Sequence, residues 1–359
     1  MSTLIRDASL IQQIERLTAD MERKARAEFL ASIQDIKDRA TLRRIRDALA
    51  AGNIDAAIRA VGVEQAAFRT FLAALVEAYT AAGVLQVGAV QWSSPVPIEG
   101  VGAAGAAGPS FEKVTVRFDL DNPGARQFIE RLSSQKVTAI VQEQQAALRT
   151  AIEAGYAQGR GPNDIARDLI GRVGPSGKRV GGIVGLNEQQ AQYVQNMRQY
   201  LQDDPTRALR MTRRDKRFDR TIAKAARDGK PLTKAQINRM VSAYERKLLA
   251  LRGETIARTE TTQAVSAARF EAMRQGLEKS GIDPANVVKK WFHAGIAVNN
   301  GERLDHMQLN RTEVRGLYTP FMPSGVPMQH PHDPNAPAEQ VISCRCGWTI
   351  SIDYARLAV

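Results

Sequence analysis

The chain has 359 residues, 43% of them apolar but only 6% aromatic, with a formal charge of +12 at pH 7. That length predicts two or three structural units, and so few rings imply a core of Ala, Leu, Ile and Val, as in helical assemblies. The basic excess points to a polyanion (nucleic acid, a membrane surface or an acidic protein), and two cysteines exclude a disulfide framework.

In chain order, residues 1–85 read as a helical region. Leu4, Ile5, Leu10, Ile11, Ile14 and Leu17 follow a 3.6-residue period, as do Phe29, Ile33 and Ile36. Gly52-Asn53 predicts a break. The N-terminus is charged throughout, which argues against a secretory signal. No run approaches the roughly 20 apolar residues of a membrane span, so no membrane anchor is expected. Synthesis in the cytoplasm follows as the default.

Residues 86–110 are rich in Gly, Ala, Ser and Pro and almost uncharged, which predicts a flexible linker and the main domain boundary. Val114, Val116, Phe118 and Leu120 then alternate with polar residues, as in a half-exposed strand. This strand opens a central domain, 111–280, that is otherwise helical. Gly171 to Gly185 is Gly-rich and basic without phosphate-loop spacing, so a mobile loop is expected there.

Residues 207–247 hold fourteen Lys or Arg against four acids, an excess of +10. They read as two basic helices broken at Gly229-Lys230-Pro231. Arg210, Arg213, Arg214, Lys216, Arg217, Arg220, Lys224, Arg227, Lys230 and Lys234 are the candidate contacts to double-stranded DNA, through phosphates and without sequence specificity. A solvated helical face is the alternative. A long helix follows to about residue 278, and its polar run includes Arg258 and Glu260.

The C-terminal module, 281–359, concentrates the unusual chemistry. All four histidines (His293, His306, His330, His332) and both cysteines (Cys344, Cys346) lie in it. VVKKWFHAG reads as a strand. Ile342, Cys344, Cys346, Trp348, Ile350 and Ile352 occupy alternate positions of a closing strand and share one face. The fold class is therefore mainly α, with helical N-terminal and central regions and a small C-terminal α+β module.

IARTET at 256–261, Arg303 and His306 three apart after a Trp-led strand, HDP at 332–334 and Cys344-Arg345-Cys346 occur in this order. The combination resembles the phage Mu F-like minor head (head morphogenesis) family over about residues 250–350. Ser343 stands where that family usually has Asn before CRC. The resemblance implies a virion head protein, made in the bacterial host cytoplasm, that meets portal or capsid protein and DNA in several copies. Arg258, Glu260, Arg303, His306, Cys344 and Cys346 are its motif residues.

The cluster admits more than one chemistry. His306, Cys344 and Cys346 are suitable zinc ligands, and His330 or His332 would complete a tetrahedral set, with His330 taken as the fourth member. Buried structural thiols are the other reading, which the shared face with Trp348 favours, and it needs no cofactor. A disulfide between residues two apart would be strained. A metal-dependent hydrolase or nuclease-like effector is the alternative function. Arg303, His306 and a nearby Asp305 or Asp333 supply groups for it, but no nucleophile motif is present, so no catalytic residue is assigned.

Overall fold

Apolar residues at helical spacing dominate the chain, and the protein is mainly α with one small C-terminal sheet. The computed structural model describes residues 2–96, 110–293 and 303–357. Helices α1 (Ser2–Arg39), α2 (Leu42–Ala50), α3 (Ile54–Val61) and α4 (Arg69–Ala89) open the chain, followed by strands β1 (Ser93–Val96) and β2 (Ser110–Lys113). Next come α5 (Pro123–Arg131), α6 (Val137–Ala157), α7 (Pro162–Ile170), β3 (Arg172–Val173) and β4 (Arg179–Val180). Helices α8 (Glu188–Asp203), α9 (Pro205–Ala208), α10 (Asp219–Asp228) and α11 (Lys234–Ser280) carry the basic segment and the long helix. The C-terminal module contains β5 (Val287–Phe292), α12 (Leu304–Gln308), β6 (Glu313–Arg315), α13 (Ala338–Val341), β7 (Gly347–Ile352) and α14 (Tyr354–Leu357).

Two compact units result. The first comprises Met1–Ala25, Ala73–Arg131 and Thr255–Val359, the second Arg26–Leu72 and Leu132–Glu254. This division departs from the sequential one expected at 85/86, 110/111 and 280/281. The stretch expected as a linker begins inside α4, where Gln86 and Val87 are buried, and continues into β1. β1 then pairs antiparallel with β2, Ser93 opposite Lys113. Low charge at 86–96 thus reflects burial and pairing; residues 97–109 of the expected linker lie outside the described residues. Along Ile54–Ala89 the chain is apolar enough by length and composition to cross a membrane, contrary to the sequence expectation. Half of that window is buried, and Phe68, Phe71, Leu75, Tyr79 and Ala82 are core residues, which accounts for the apolar composition.

In the first unit, β5 lies between β6 and β7, all antiparallel. Val287, Lys289 and Trp291 alternate as buried residues along β5. Trp92, Met273, Leu277, Ile282, Val287, Leu317, Trp348, Ile350 and Ile352 form one core cluster. The strand expected over 113–120 does not form; β2 lies upstream of it and stops at Lys113. Val114 donates its N–H to the Trp92 carbonyl, and beyond it the described residues offer no ladder partner. The alternation survives as packing: Val114 and Val116 touch the core, and the Phe118 ring lies 5.6 Å from that of Tyr79.

The closing strand is also shorter than expected. It begins at Gly347, because α13 precedes it and Ser343 adopts φ 56, which breaks the extended backbone. Cys344, Cys346, Trp348, Ile350 and Ile352 are buried as the alternation requires, but Ile342 is 46% exposed.

In the second unit, α2 packs on α3 and α7, and α6 on α8. Phe29 stacks near Phe68 at 6.0 Å and meets Phe71 edge-on at 5.8 Å. The Gly-rich segment is not a free loop: it pairs as the β3–β4 hairpin, exposed at its tip, and enters this core from Gly181 on. Ile183, Val184 and Leu186 are at most 1% exposed. Gly182 sits at φ 90, where a Cβ would come within 2.5 Å of the Gly171 nitrogen, so only glycine fits. The Gly182 N–H donates to buried Glu245 at 2.7 Å, and Lys37 donates to the Gly181 carbonyl at 2.8 Å. Nearby, buried Asp168 accepts from Arg172 at 2.8 Å and forms ion pairs with Arg160 and Arg198.

Two consequences are measurable. Gly276 of α11 lies against the buried Trp92 ring, whose Nε1 is tied to the Val87 carbonyl; an added Cβ would overlap the ring. Gly276→Ala gains about 1 kcal/mol of helix propensity but incurs overpacking of about 1–3 kcal/mol. A lower urea midpoint at unchanged slope is expected.

Burial pushes the Lys37 ammonium down to about 8 from 10.5. Below pH 8 both states hold the proton and the folded state carries the desolvation cost. Between 8 and 10.5 the unfolded chain binds more protons, so stability rises with pH. Relative to Lys37→Met, urea unfolding should show the wild type gaining on the order of 3 kcal/mol across that window.

Candidate functional site

His306 is placed by α12, a five-residue helix, and is 1% exposed. A buried imidazole needs both nitrogens accounted for, and its neighbours fix how. The Asp305 carboxylate, an acceptor only, takes the Gln340 amide NH2 at 2.9 Å and the Ser324 hydroxyl at 3.0 Å. Gln340 must then turn its carbonyl oxygen to His306, where Nε2 lies 2.6 Å away and donates. The His306 Nδ1 lone pair is left facing Cys344 Sγ at 3.5 Å and Cys346 Sγ at 3.6 Å.

These distances have a chemical meaning. A tetrahedral ion about 2.3 Å from sulfur and about 2.0–2.1 Å from nitrogen separates the two ligand atoms by about 3.5 Å. The ligand atoms of His306, Cys344 and Cys346 all lie within 4.8 Å of one another, so the cluster can hold a metal ion. Its outer partner is the Asp305–Gln340 relay, the arrangement that orients metal-bound imidazoles. The Cys344 thiol is pushed down to about 3, chiefly by the hydrogen bond from the Cys346 thiol. The Cys346 backbone N–H adds a contact to Cys344 Sγ at 3.4 Å. A thiolate is the form a metal takes.

His330, expected in the ligand set, is not part of this group. Its ring stacks on Trp348 at 5.2 Å and its Nδ1 faces the Pro331 carbonyl at 2.8 Å. Burial pushes it down to about 4, so it is a neutral core histidine at neutral pH.

Of the remaining motif residues Arg303 reaches the cysteine segment, as does Thr259 of IARTET, whereas Arg258 turns to Glu22. Thr259 Oγ1, in IARTET, accepts the Ser343 backbone N–H at 3.1 Å. That bond uses the backbone, so it is indifferent to Ser replacing Asn. Arg303 donates to the Ile342 carbonyl at 2.7 Å. Arg258 is half-buried and faces Glu22 at 3.9 Å; Glu260 is half-buried two residues on. Arg269, which the sequence did not single out, is buried and donates to the Trp348 carbonyl at 3.0 Å and to Gln86 at 2.9 Å. It also covers the Trp348 ring at 4.8 Å, and burial pushes it down to about 10. Gln340 and Arg269 are single polar residues in unremarkable polar sequence, so no pattern marks them.

The basic segment forms a second candidate surface, in the second unit. Arg210, Arg213, Lys216, Arg217, Arg220, Lys224, Arg227, Lys230 and Lys234 are exposed, and Arg214 is half-buried. Ile222 anchors the inner side of α10 and Gly229 ends it in the left-handed conformation. Four cations are engaged: Arg214 with Asp219, Arg217 with Asp215, Arg227 with Asp228 and Lys234 with Asp164. A cleft of about 400 Å³ is lined by Arg26, Arg213, Arg214, Lys216 and Lys247, with Glu254 at one side.

The chain matches no family model, no curated protein and no solved structure.

If Gln340 sets the His306 tautomer, Gln340→Leu releases the ring. Titration with Co²⁺ should then show affinity lower by about 10–100-fold, the usual cost of losing an outer-shell partner. Unchanged affinity would mean that the relay does not orient the ligand.

Proposed function

We propose that the chain is a phage minor head protein of the Mu F-like kind, which bridges portal or capsid protein and double-stranded DNA during packaging or delivery. The observation that carries this reading is the dense set of exposed cations between Arg207 and Lys247. Their side chains point to solvent from short helices whose apolar residues face inward, so they meet a phosphate backbone without desolvating a core. No recognition helix is implied, and the contact is independent of base sequence.

The convergence of Thr259, Arg303 and the Cys344–Cys346 segment supports the resemblance on which the head assignment rests. A protein-facing surface is supported separately. Leu304, Met307, Tyr318, Met322 and Ile342 are large apolar side chains exposed in the C-terminal module. Such side chains suit docking on a protein partner. In this reading the protein belongs to the virion head, in several copies.

The metal of the first unit is zinc in this reading, held by His306, Cys344 and Cys346 as a structural brace. All three ligand residues are buried, whereas a catalytic ion keeps a position open to water and substrate. The burial therefore favours a brace over a hydrolase, and the chain is not an enzyme.

Electrophoretic shift or anisotropy with random duplexes tests the DNA contact. Affinity should fall linearly in log K against log salt. Changing Arg210, Arg213, Lys216, Arg220, Lys224 and Lys230 to Gln should flatten the slope by about 0.9 for each phosphate no longer neutralised. No binding at low salt, or an unchanged slope in the variant, refutes the DNA half of the proposal. Co-purification with a portal ring tests the other half.

A further inference from the structure

We infer that His332, and not His330, is the fourth ligand of the His306/Cys344/Cys346 site, which then takes a zinc-class ion through two thiolates and two imidazoles. This rests on the metal reading above and names the residue that completes it.

Both histidines come from the loop between β6 and α13, yet their nitrogens are in different states. His330 is engaged by Trp348 and the Pro331 carbonyl, and its ring also lies 5.7 Å from Phe270. His332 is 2% exposed, and its Nε2 lies 2.9 Å from the Cys346 carbonyl. A carbonyl only accepts, so Nε2 carries the proton and Nδ1 of the neutral ring presents a lone pair. That Nδ1 is buried and has no hydrogen-bond partner. A buried acceptor without a donor bears its desolvation cost unrelieved, and an ion would relieve it.

The arrangement repeats that of His306. Each imidazole is held through Nε2–H on an oxygen and offers Nδ1, Gln340 serving the first and a ligand residue's own backbone the second. The bond to the Cys346 carbonyl also keeps His332 beside the cluster. The loop is braced for this task. Asp333 accepts the Gln329 N–H at 2.7 Å and the Asn335 N–H at 2.9 Å, fixing the backbone on both sides of the histidine. His332 itself sits at φ 65, a conformation seldom adopted outside glycine.

Other oxygen ligands nearby are committed elsewhere. Asp305 Oδ2 takes Gln340 and Ser324, and its Oδ1 takes the His306 N–H. His332 stands outside the 4.8 Å group of the first three ligands, so ligation turns its ring toward the two sulfurs.

The test uses the full-length protein, stripped with a chelator and reloaded with Zn²⁺ or Co²⁺. X-ray absorption at the zinc edge should give two sulfur and two nitrogen neighbours, with the multiple-scattering signature of two imidazoles. His332→Ala should weaken Zn²⁺ binding by more than about 100-fold, beyond the range of an outer-shell residue. His330→Ala should leave it unchanged. His332→Cys covers the case in which the alanine variant misfolds: a direct ligand adds a third thiolate, intensifying sulfur-to-Co²⁺ charge transfer.

One imidazole in the absorption data, or a His332→Cys spectrum identical to wild type, overturns the inference while leaving the three-ligand site standing. Failure of the wild-type protein to bind either ion removes the metal reading itself, and the inference with it.

Discussion

Polar groups buried in either unit have to find their partners inside the protein, because water is not there to supply them. In the first unit this requirement runs from one carboxylate outward. Asp305 can only accept, which sets the Gln340 amide, which sets the His306 tautomer, which turns a lone pair toward two sulfurs. Reversing any member would place two donors or two acceptors face to face. The same requirement shapes the second unit with charges. Asp168 takes three guanidinium groups, and Glu245 is satisfied by the Gly182 N–H, a bond that needs the left-handed turn only glycine supplies.

Burial of the cluster also bears on what it does. An ion bound there would be enclosed by Trp291, Phe321, Met328 and Val341 and so shielded from solvent. His306, Cys344 and Cys346 bring together α12 and the entry to β7, and the proposed fourth ligand would add the loop before α13. Those segments contribute little regular structure of their own, since α12 has five residues and β6 three. A short module without long elements has a small core and gains most from a metal staple. Arg269 and Thr259 supply further anchoring by binding the Trp348 carbonyl and the Ser343 N–H from one long helix.

Much of this was legible in the sequence, and the failures have identifiable causes. Helical periodicity placed α1 because it reports which face is buried, the long helix expected to about residue 278 is α11, and the alternation 344–352 reported burial correctly. It did not report pairing: β7 starts only at Gly347, and β2 stops at Lys113, since a ladder needs a partner strand that composition cannot reveal. Glycine content misled in a similar way at 171–185, where Gly171, Gly181, Gly182 and Gly185 adopt positive φ at the core and Gly177 turns an exposed hairpin. The units themselves were hidden because each is assembled from separated segments, and no local compositional shift marks such a boundary. At the site, residue types announced His306, Cys344 and Cys346. The choice between His330 and His332 depends on which nitrogen is already bonded, and spacing carries no information about that.

The acids of the basic segment show why its charge reaches solvent. Of the four, Glu245 is fully enclosed and Asp215 is nearly so, while Asp219 is half-buried. Asp219 holds Arg214 by two bonds of 2.9 Å, and Asp215 accepts both the backbone and the side chain of Arg217. These carboxylates shape the turns between α9 and α10 more than they neutralise the surface. With four of the cations paired, the exposed face keeps a net positive charge. Its field decays over about 8 Å at physiological salt. Cations spaced along α10 and the turns beside it would therefore act on a polyanion at contact range and not steer it from afar.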